Sequence, residues 1–457
     1  MAAATEKTMI RDLTQGNVTR QLLVFSFPFM LSNLLQTVYN LVDMVVIGQY
    51  CGSAGLSGVS IGGEMLHLFT FICMGFCSAG QILISQLVGQ NDRKGVSRMI
   101  GNLFTFVFLL GLVLMAFGLL AVNWMLGLMN TPAEAYSQAY DYTMVCFIGV
   151  IFIFGYNIVS AILRGMGDSR RPFLFIAVAS VLNLVLDLVF VIGFGMEAKG
   201  AALATVIGQG VSFLISMVYL YRRRAAFGFD FRPSGFLPEK KYVGAILRIG
   251  TPLAIQQCAI IVSSLFVQSW INGYGLVACA VNSVGNKLSS VMSVVTSAIN
   301  NAGSSMIGQN LGAKKIDRVR RIIGSSLIFC FCIACVLSGL MVAFPKQIFG
   351  LFDDDPEVLE MAVTFVPIAV LNFFGFALRA PFNALVNGLG FASMGLFIGI
   401  MDGVVARVGL TMLLGVALGF GIQGFWYGNV FAGYVTFFIG GIYYLTGRWK
   451  NREPVIK

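Results

Sequence analysis

Four acidic residues, Asp43, Glu64, Asp187 and Asp402, fall inside long apolar runs. A charge at the centre of a membrane helix costs about 2.5–3.5 kcal/mol on insertion scales, so such a residue is expected to face a cavity or a partner. Two of the four have polar company at helical spacing. Tyr39 precedes Asp43 by one turn, and Asn183 precedes Asp187 by one turn, so each pair shares a helix face. Thr205 lies at the outer start of the next run. Together Asp43, Asn183, Asp187 and Thr205 would form an oxygen-rich pocket, suited to a hard cation such as Na⁺ or to a proton, because desolvation and a like charge nearby both favour a neutral carboxyl. The remaining ionisable groups carry less. Arg407, within a later run, would balance an acid or meet a substrate; Asp402, five residues earlier, falls ~500° around an α-helix and makes a poor intrahelical partner. Glu64 and His67 suit an interface. Cys330, Cys332 and Cys335 have no accompanying histidine or second cluster, and read as packing residues instead of metal ligands.

The elements that must place these groups follow from composition. Of 457 residues, 57% are hydrophobic and 11% charged, where a soluble domain carries roughly 25% charged residues. Soluble enzymes, nucleic-acid binders and disulfide-rich secreted modules are excluded; the net charge of +10 records topology instead. Twelve apolar segments are expected, near 22–47, 58–84, 101–122, 142–163, 172–195, 200–221, 246–272, 277–306, 322–344, 361–386, 392–418 and 421–446. Each is long enough for a membrane helix, which takes ~20 residues. Basic residues collect in alternate loops (Arg93, Lys94 and Arg98; Arg164, Arg170 and Arg171; Arg222 to Arg224; Lys314 to Arg321) and in both tails, including Lys7 and Lys457. The opposite loops hold only Lys199 and Lys346. Both termini are therefore expected in the cytoplasm, with the polar start Met1 to Arg20 an uncleaved tail. On this topology Asp187 lies ~24 Å from the cytoplasmic Arg171, and Asp43 ~28 Å from Val24, at about 1.5 Å per residue; the two carboxylates share a level in the outer half.

An internal repeat doubles the design. At one constant offset in the numbering, Gly52, Ser60 and Gly62 recur as Gly275, Ser283 and Gly285; Gly89, Val96 and Arg98 as Gly312, Val319 and Arg321; and Gly165-Met-Gly167 as Gly388-Leu-Gly390. Pro28 meets Pro252 with a slippage of one position. The fold expected is an all-α polytopic membrane protein of twelve transmembrane helices in two pseudo-symmetric six-helix bundles: residues 1–221, a cytoplasmic linker 222–245, and residues 246–457. Paired six-helix lobes suit a secondary transporter, and no phosphate-binding Gly-x-x-x-x-Gly-Lys loop points to nucleotide hydrolysis. The counterparts of Asp43 and Asp187 at the repeat offset are Phe266 and Leu410, so acids in one lobe only point to coupling more than to packing.

Pro28, the segment Tyr39-Asn-Leu-Val-Asp43-Met-Val-Val-Ile-Gly48, Leu163-Arg-Gly-Met-Gly-Asp168, Asn183 with Asp187, and Gly200-Ala-Ala-Leu-Ala-Thr205 together resemble the multidrug and toxic compound extrusion (MATE) family. The resemblance covers nearly the whole chain. It implies a V-shaped pair of six-helix bundles in the cell membrane that exports amphipathic, often cationic, compounds in exchange for H⁺ or Na⁺, with no cofactor beyond the coupling ion, no nucleic-acid partner and a monomeric state. It further implies a cation site at Asp43, Asn183, Asp187 and Thr205, with Tyr39 and Asn157 lining the same lobe, and a bend of the first helix at Pro28. Gln256 and Gln257 stand where the NorM-type branch carries acids, so the DinF-type branch is the better match. The alternatives are a flippase for lipids or lipid-linked saccharides, which would call for more mid-span arginines than Arg407, and a major-facilitator symporter, whose loop motif Gly89 to Gly95 approaches one residue short. A membrane enzyme lacks any nucleophile–base pair or metal set.

Overall fold

A computed structural model describes residues 11–229, 231–352 and 355–456; Lys7 and Lys457, counted above among the basic tail residues, lie outside them. Among these residues every regular element is helical. The long helices are α1 (Val18–Tyr50), α2 (Gly52–Gly89), α3 (Arg93–Leu128), α4 (Ala133–Gly165), α5 (Arg170–Gly193), α6 (Glu197–Arg222), α7 (Lys240–Asn272), α8 (Leu276–Gly312), α9 (Ile316–Ala343), α10 (Pro356–Gly388), α11 (Ala392–Ala417) and α12 (Gly421–Leu445). They coincide with the twelve segments expected from hydropathy, extended at their polar ends. Eleven are long and apolar enough to cross a membrane. The twelfth, α8, has 37 residues but carries Asn282, Lys287, Asn300 and Asn301, which dilute its apolar character.

Helix ends are set locally. Asp92 caps α3 by accepting a 2.9 Å hydrogen bond from the Gly95 backbone N–H, and Asp355 caps α10, whose first residue is Pro356, by accepting from the Glu357 N–H. Both devices satisfy N–H groups that a first turn leaves open. The repeat is written into the turns: Asn91 and Lys314, equivalent positions of the two halves, both take left-handed φ values (57° and 58°), as do Gly167 and Gly390 (86° and 65°).

Helix packing repeats too. A Cβ added to Gly165 would lie 2.7 Å from the Gln81 carbonyl oxygen and 3.0 Å from Ile84. At Gly388 the same atom would meet Ile307 at 2.7 Å and the Ser304 oxygen at 2.8 Å. The ends of α2 and α4, and of α8 and α10, approach closely because these positions have no side chain, the small-residue packing that membrane bundles favour. Gly165→Ala is expected to lower stability by about 1–3 kcal/mol, the usual cost of overpacking, read as an earlier thermal unfolding transition in detergent.

Contacts divide the chain into two compact units. One takes residues 31–254, the other residues 13–30 and 255–455. The division differs from the expected lobes of 1–221 and 246–457. It runs through α1 and α7, just beyond Pro28 and Pro252, instead of through the connector 222–245. A proline inside a helix removes one backbone hydrogen bond and clashes with the preceding turn, so each helix can pass from one packing environment to the other at its proline. In the second unit, residues 13–16 are held by Leu13 N–H to Gln309 Oε1 at 3.0 Å, Lys315 Nζ to the Thr14 oxygen at 2.9 Å and Arg318 Nη1 to the Gly16 oxygen at 2.8 Å.

Candidate functional site

The first unit assembles the predicted acids. Asp43 on α1 and Asp187 on α5 are near neighbours whose carboxyl groups interact directly. Asp187 is 1% exposed. Neither of its oxygens, nor Oδ1 of Asp43, has a hydrogen-bond donor among the described residues. Asn183 is buried one turn before Asp187, donating from Nδ2 to Thr205 Oγ1 on α6 at 3.4 Å, while its Oδ1 is also without a donor. Four acceptor oxygens thus converge with no positive side chain among them. That is an arrangement a buried polar cluster does not normally leave open.

Local sequence explains the convergence. Gly208 on α6 lets α5 approach closely: a Cβ there would lie 3.0 Å from the Ala179 oxygen and 3.4 Å from Cβ of Asn183. Immediately after Asp187 the α-helix gives way to a π-helical stretch, Leu188–Gly193, a widened turn of the kind that recurs at functional positions.

A small cavity, of about 10 Å³, is lined by Tyr39, Ile176, Ala179, Ser180, Asn183, Thr205, Gly208 and Gln209, space for about one water-sized guest. Tyr39 neighbours Asp43, Asp187 and Tyr156. Of the residues singled out in the sequence, Tyr39, Asn183 and Thr205 line this cavity, and Asp43 and Asp187 adjoin it as neighbours of Tyr39. Asn157 on α4 instead donates its amide to the Ile153 carbonyl of its own helix at 2.8 Å and is not part of the cavity wall. Sequence reasoning passed over Ser180 and Gln209. Gln209 follows Thr205 by one helical turn, a spacing that identifies it; its Oε1 is a further buried oxygen without a donor.

The second unit holds the acid Asp402 and its neighbour Arg407. Arg407, 7% exposed, donates from Nη2 to Asp402 Oδ1 at 2.9 Å, and from Nη1 to Asn429 Oδ1 on α12. The sequence expectation that Asp402 makes a poor intrahelical partner for Arg407 is corrected here. Residues Met401–Ala406 form a π-helical stretch, whose i→i+5 pattern brings residues five apart onto one face. Gln256, at the position compared with branch-specific acids, packs against Gly399 of α11, where an added Cβ would meet its Cγ at 2.5 Å. Glu64 and His67 are exposed on α2. Lys287 reaches over the Phe352 ring at 5.3 Å. Among the described residues, no group of three or more His, Cys, Asp or Glu stands where it could hold a metal.

Comparison with known proteins gives one consistent result. The MatE family model matches residues 28–189 and again 252–413, one match for each half of the repeat. The chain is 28% identical over 448 residues to the probable multidrug resistance protein YpnP of Bacillus subtilis, covering 96% of this chain and 97% of that protein. It is 30% identical over 395 residues to the probable multidrug resistance protein YoeA of the same organism, covering 85% of each. A solved outward-facing multidrug resistance transporter of the MATE family superposes with a TM-score of 0.89 at 22% identity, over 97% of this chain and 98% of that one.

Proposed function

The chain belongs to the MatE family of transporters, and on that footing we propose that it is a multidrug efflux antiporter that expels small amphipathic or cationic compounds in exchange for H⁺ or Na⁺. It is a multi-pass membrane transporter and not an enzyme, and relatives named for multidrug resistance and multidrug export favour drug-like cargo over lipid-linked saccharides. The observation that carries the coupling is the meeting of Asp43 with Asp187, acceptor-rich and without a positive side chain.

Two adjoining carboxylates in a low-dielectric interior repel strongly when both are charged. A proton shared between them, or a sodium ion held by Asp43, Asn183, Asp187 and Thr205, relieves that repulsion. Capture from outside and release inside would supply the differential free energy that biases two conformations. Tyr39 and Asn157 are assigned to the lining of the same lobe, and Pro28 to the point at which α1 bends. Gln256 and Gln257 in α7, together with the pairing of the second-half acid Asp402 with Arg407, leave the unpaired acids to the first half and support the DinF-type branch. The basic loops support cytoplasmic termini.

The direct test is efflux of a cationic dye from liposomes holding the purified protein, under separately imposed proton and sodium gradients. Export is expected under one gradient at least, and none without either. Equal export with no gradient would remove the coupling role.

A further inference from the structure

The last turn of α12 and the tail beyond it build a second concave site, within the second unit. Gly447 takes a left-handed φ of 70° and starts a 3₁₀ turn, Arg448–Asn451. Trp449 is buried there, stacked on Tyr444 at 5.5 Å and donating from Nε1 to the Tyr444 carbonyl at 3.0 Å. This anchor folds the tail back over the start of α11. The Arg452 guanidinium thereby lies 3.3 Å from the centroid of the Phe391 ring, and Phe391 in turn packs on Tyr443 at 5.4 Å. The groove so enclosed has a volume of about 830 Å³.

The lining divides into two ends. Met394, Ile439 and Ile442 form an apolar wall, and Ile442 is 63% exposed at a level where the surroundings of a spanning helix are acyl chains. Arg448 and Arg452 close the other end. Neither has a carboxylate within ion-pair distance among the described residues. Glu453 is the single acid in the lining, which leaves the arginines in excess. An apolar trough running into a pair of arginines at the hydrocarbon boundary is complementary to an anionic headgroup carrying its own acyl chain.

We propose that this groove binds one acidic phospholipid from the adjoining leaflet, with its phosphate between Arg448 and Arg452 and an acyl chain along Met394, Ile439 and Ile442. The tail fold supplies specificity: Trp449 fixes the turn, the turn fixes Arg452, and Phe391 holds the guanidinium over the groove, so charge recognition is built in and not left to a mobile tail.

The test is native mass spectrometry of the full-length protein in detergent, titrated with phosphatidylglycerol and with phosphatidylcholine of the same acyl chains. Wild type is expected to retain one phosphatidylglycerol in preference to phosphatidylcholine. The double variant R448Q/R452Q is expected to retain it about thirtyfold less well, from the usual worth of two basic residues at an anionic surface. R320Q, at an exposed position near the start of α9, is expected to leave retention unchanged. Inorganic phosphate at millimolar concentration should not displace the lipid. Equal retention of the two lipids, an unchanged double variant, or displacement by phosphate alone would each overturn the proposal, the last by identifying a site for free anions. Should the double variant not fold, R448Q alone, at an exposed position, carries the same comparison with an expected loss of about fivefold.

Discussion

Replacing Asp187 by asparagine is expected to bring gradient-driven dye export down to the level of empty liposomes while the protein still folds. The amide matches the carboxylate in shape, so the packing of α5 on α6 through Gly208 survives. What disappears is the charge that distinguishes the ion-loaded from the ion-free state. Moving a two-state equilibrium from 1:99 to 99:1 needs about a 10⁴-fold difference in affinity between the states, and a neutral side chain cannot supply it for a monovalent cation. Thermal stability should stay level or rise, because Asp187 is buried beside Asp43 without a donor among the described residues and the amide brings N–H groups to acceptors that lack them. Asp43→Asn is expected to behave in the same way. Coupled export that persists in Asp187→Asn, measured with the same protein orientation and amount, would remove these acids from the coupling site.

The second large effect concerns stability. Asp402→Ala is expected to destabilise the protein by about 3–5 kcal/mol, the usual consequence of leaving one member of a buried ion pair alone. Arg407 keeps Asn429 as an acceptor, but its charge has no counter-ion on the same helix once Asp402 is gone. Arg379, on α10, adds a second guanidinium nearby, set over the Phe376 ring at 4.0 Å, so losing the one carboxylate leaves two like charges together. Replacing both partners by apolar residues of similar size, D402L with R407M, should recover most of the loss, since a buried pair is frequently no better than well-packed hydrophobic side chains. Denaturant titration in mixed micelles provides the measurement. A single variant as stable as wild type would show that Arg407 does not depend on Asp402.

Much of this architecture is legible in the residues alone. Hydropathy marks eleven of the long helices because a bilayer demands long apolar runs, the more polar α8 is found through its place in the repeat, and the register of that repeat survives in glycines whose close packing tolerates no side chain, Gly165 and Gly388 among them. Asp43, Asn183 and Asp187 stand out because acids and amides in apolar sequence need a reason. Other features were beyond that kind of reading. The Asp402–Arg407 pair was misjudged by applying an unbroken α-helical turn throughout, and no composition rule marks where a helix widens. The passage of α1 and α7 between units was missed because a proline signals a bend, not the neighbours found on either side of it. Asn157 reads as a pocket residue by analogy, yet its amide bonds within its own helix.

The widened turn at Met401–Ala406 accounts for more than one ion pair. A π-turn accommodates an extra residue relative to an α-turn. Helices α5 and α11 hold matching places in the two halves, yet α5 has 24 residues and α11 has 26. The later π-stretch, Leu413–Ala417, has its counterpart in Leu188–Gly193, whereas 401–406 has none in α5. An insertion absorbed in this way lengthens a helix without unseating either of its ends. The matching helices therefore differ in chemistry: α5 carries an acid without a donor among the described residues, whereas α11 carries an acid neutralised by an arginine of its own helix.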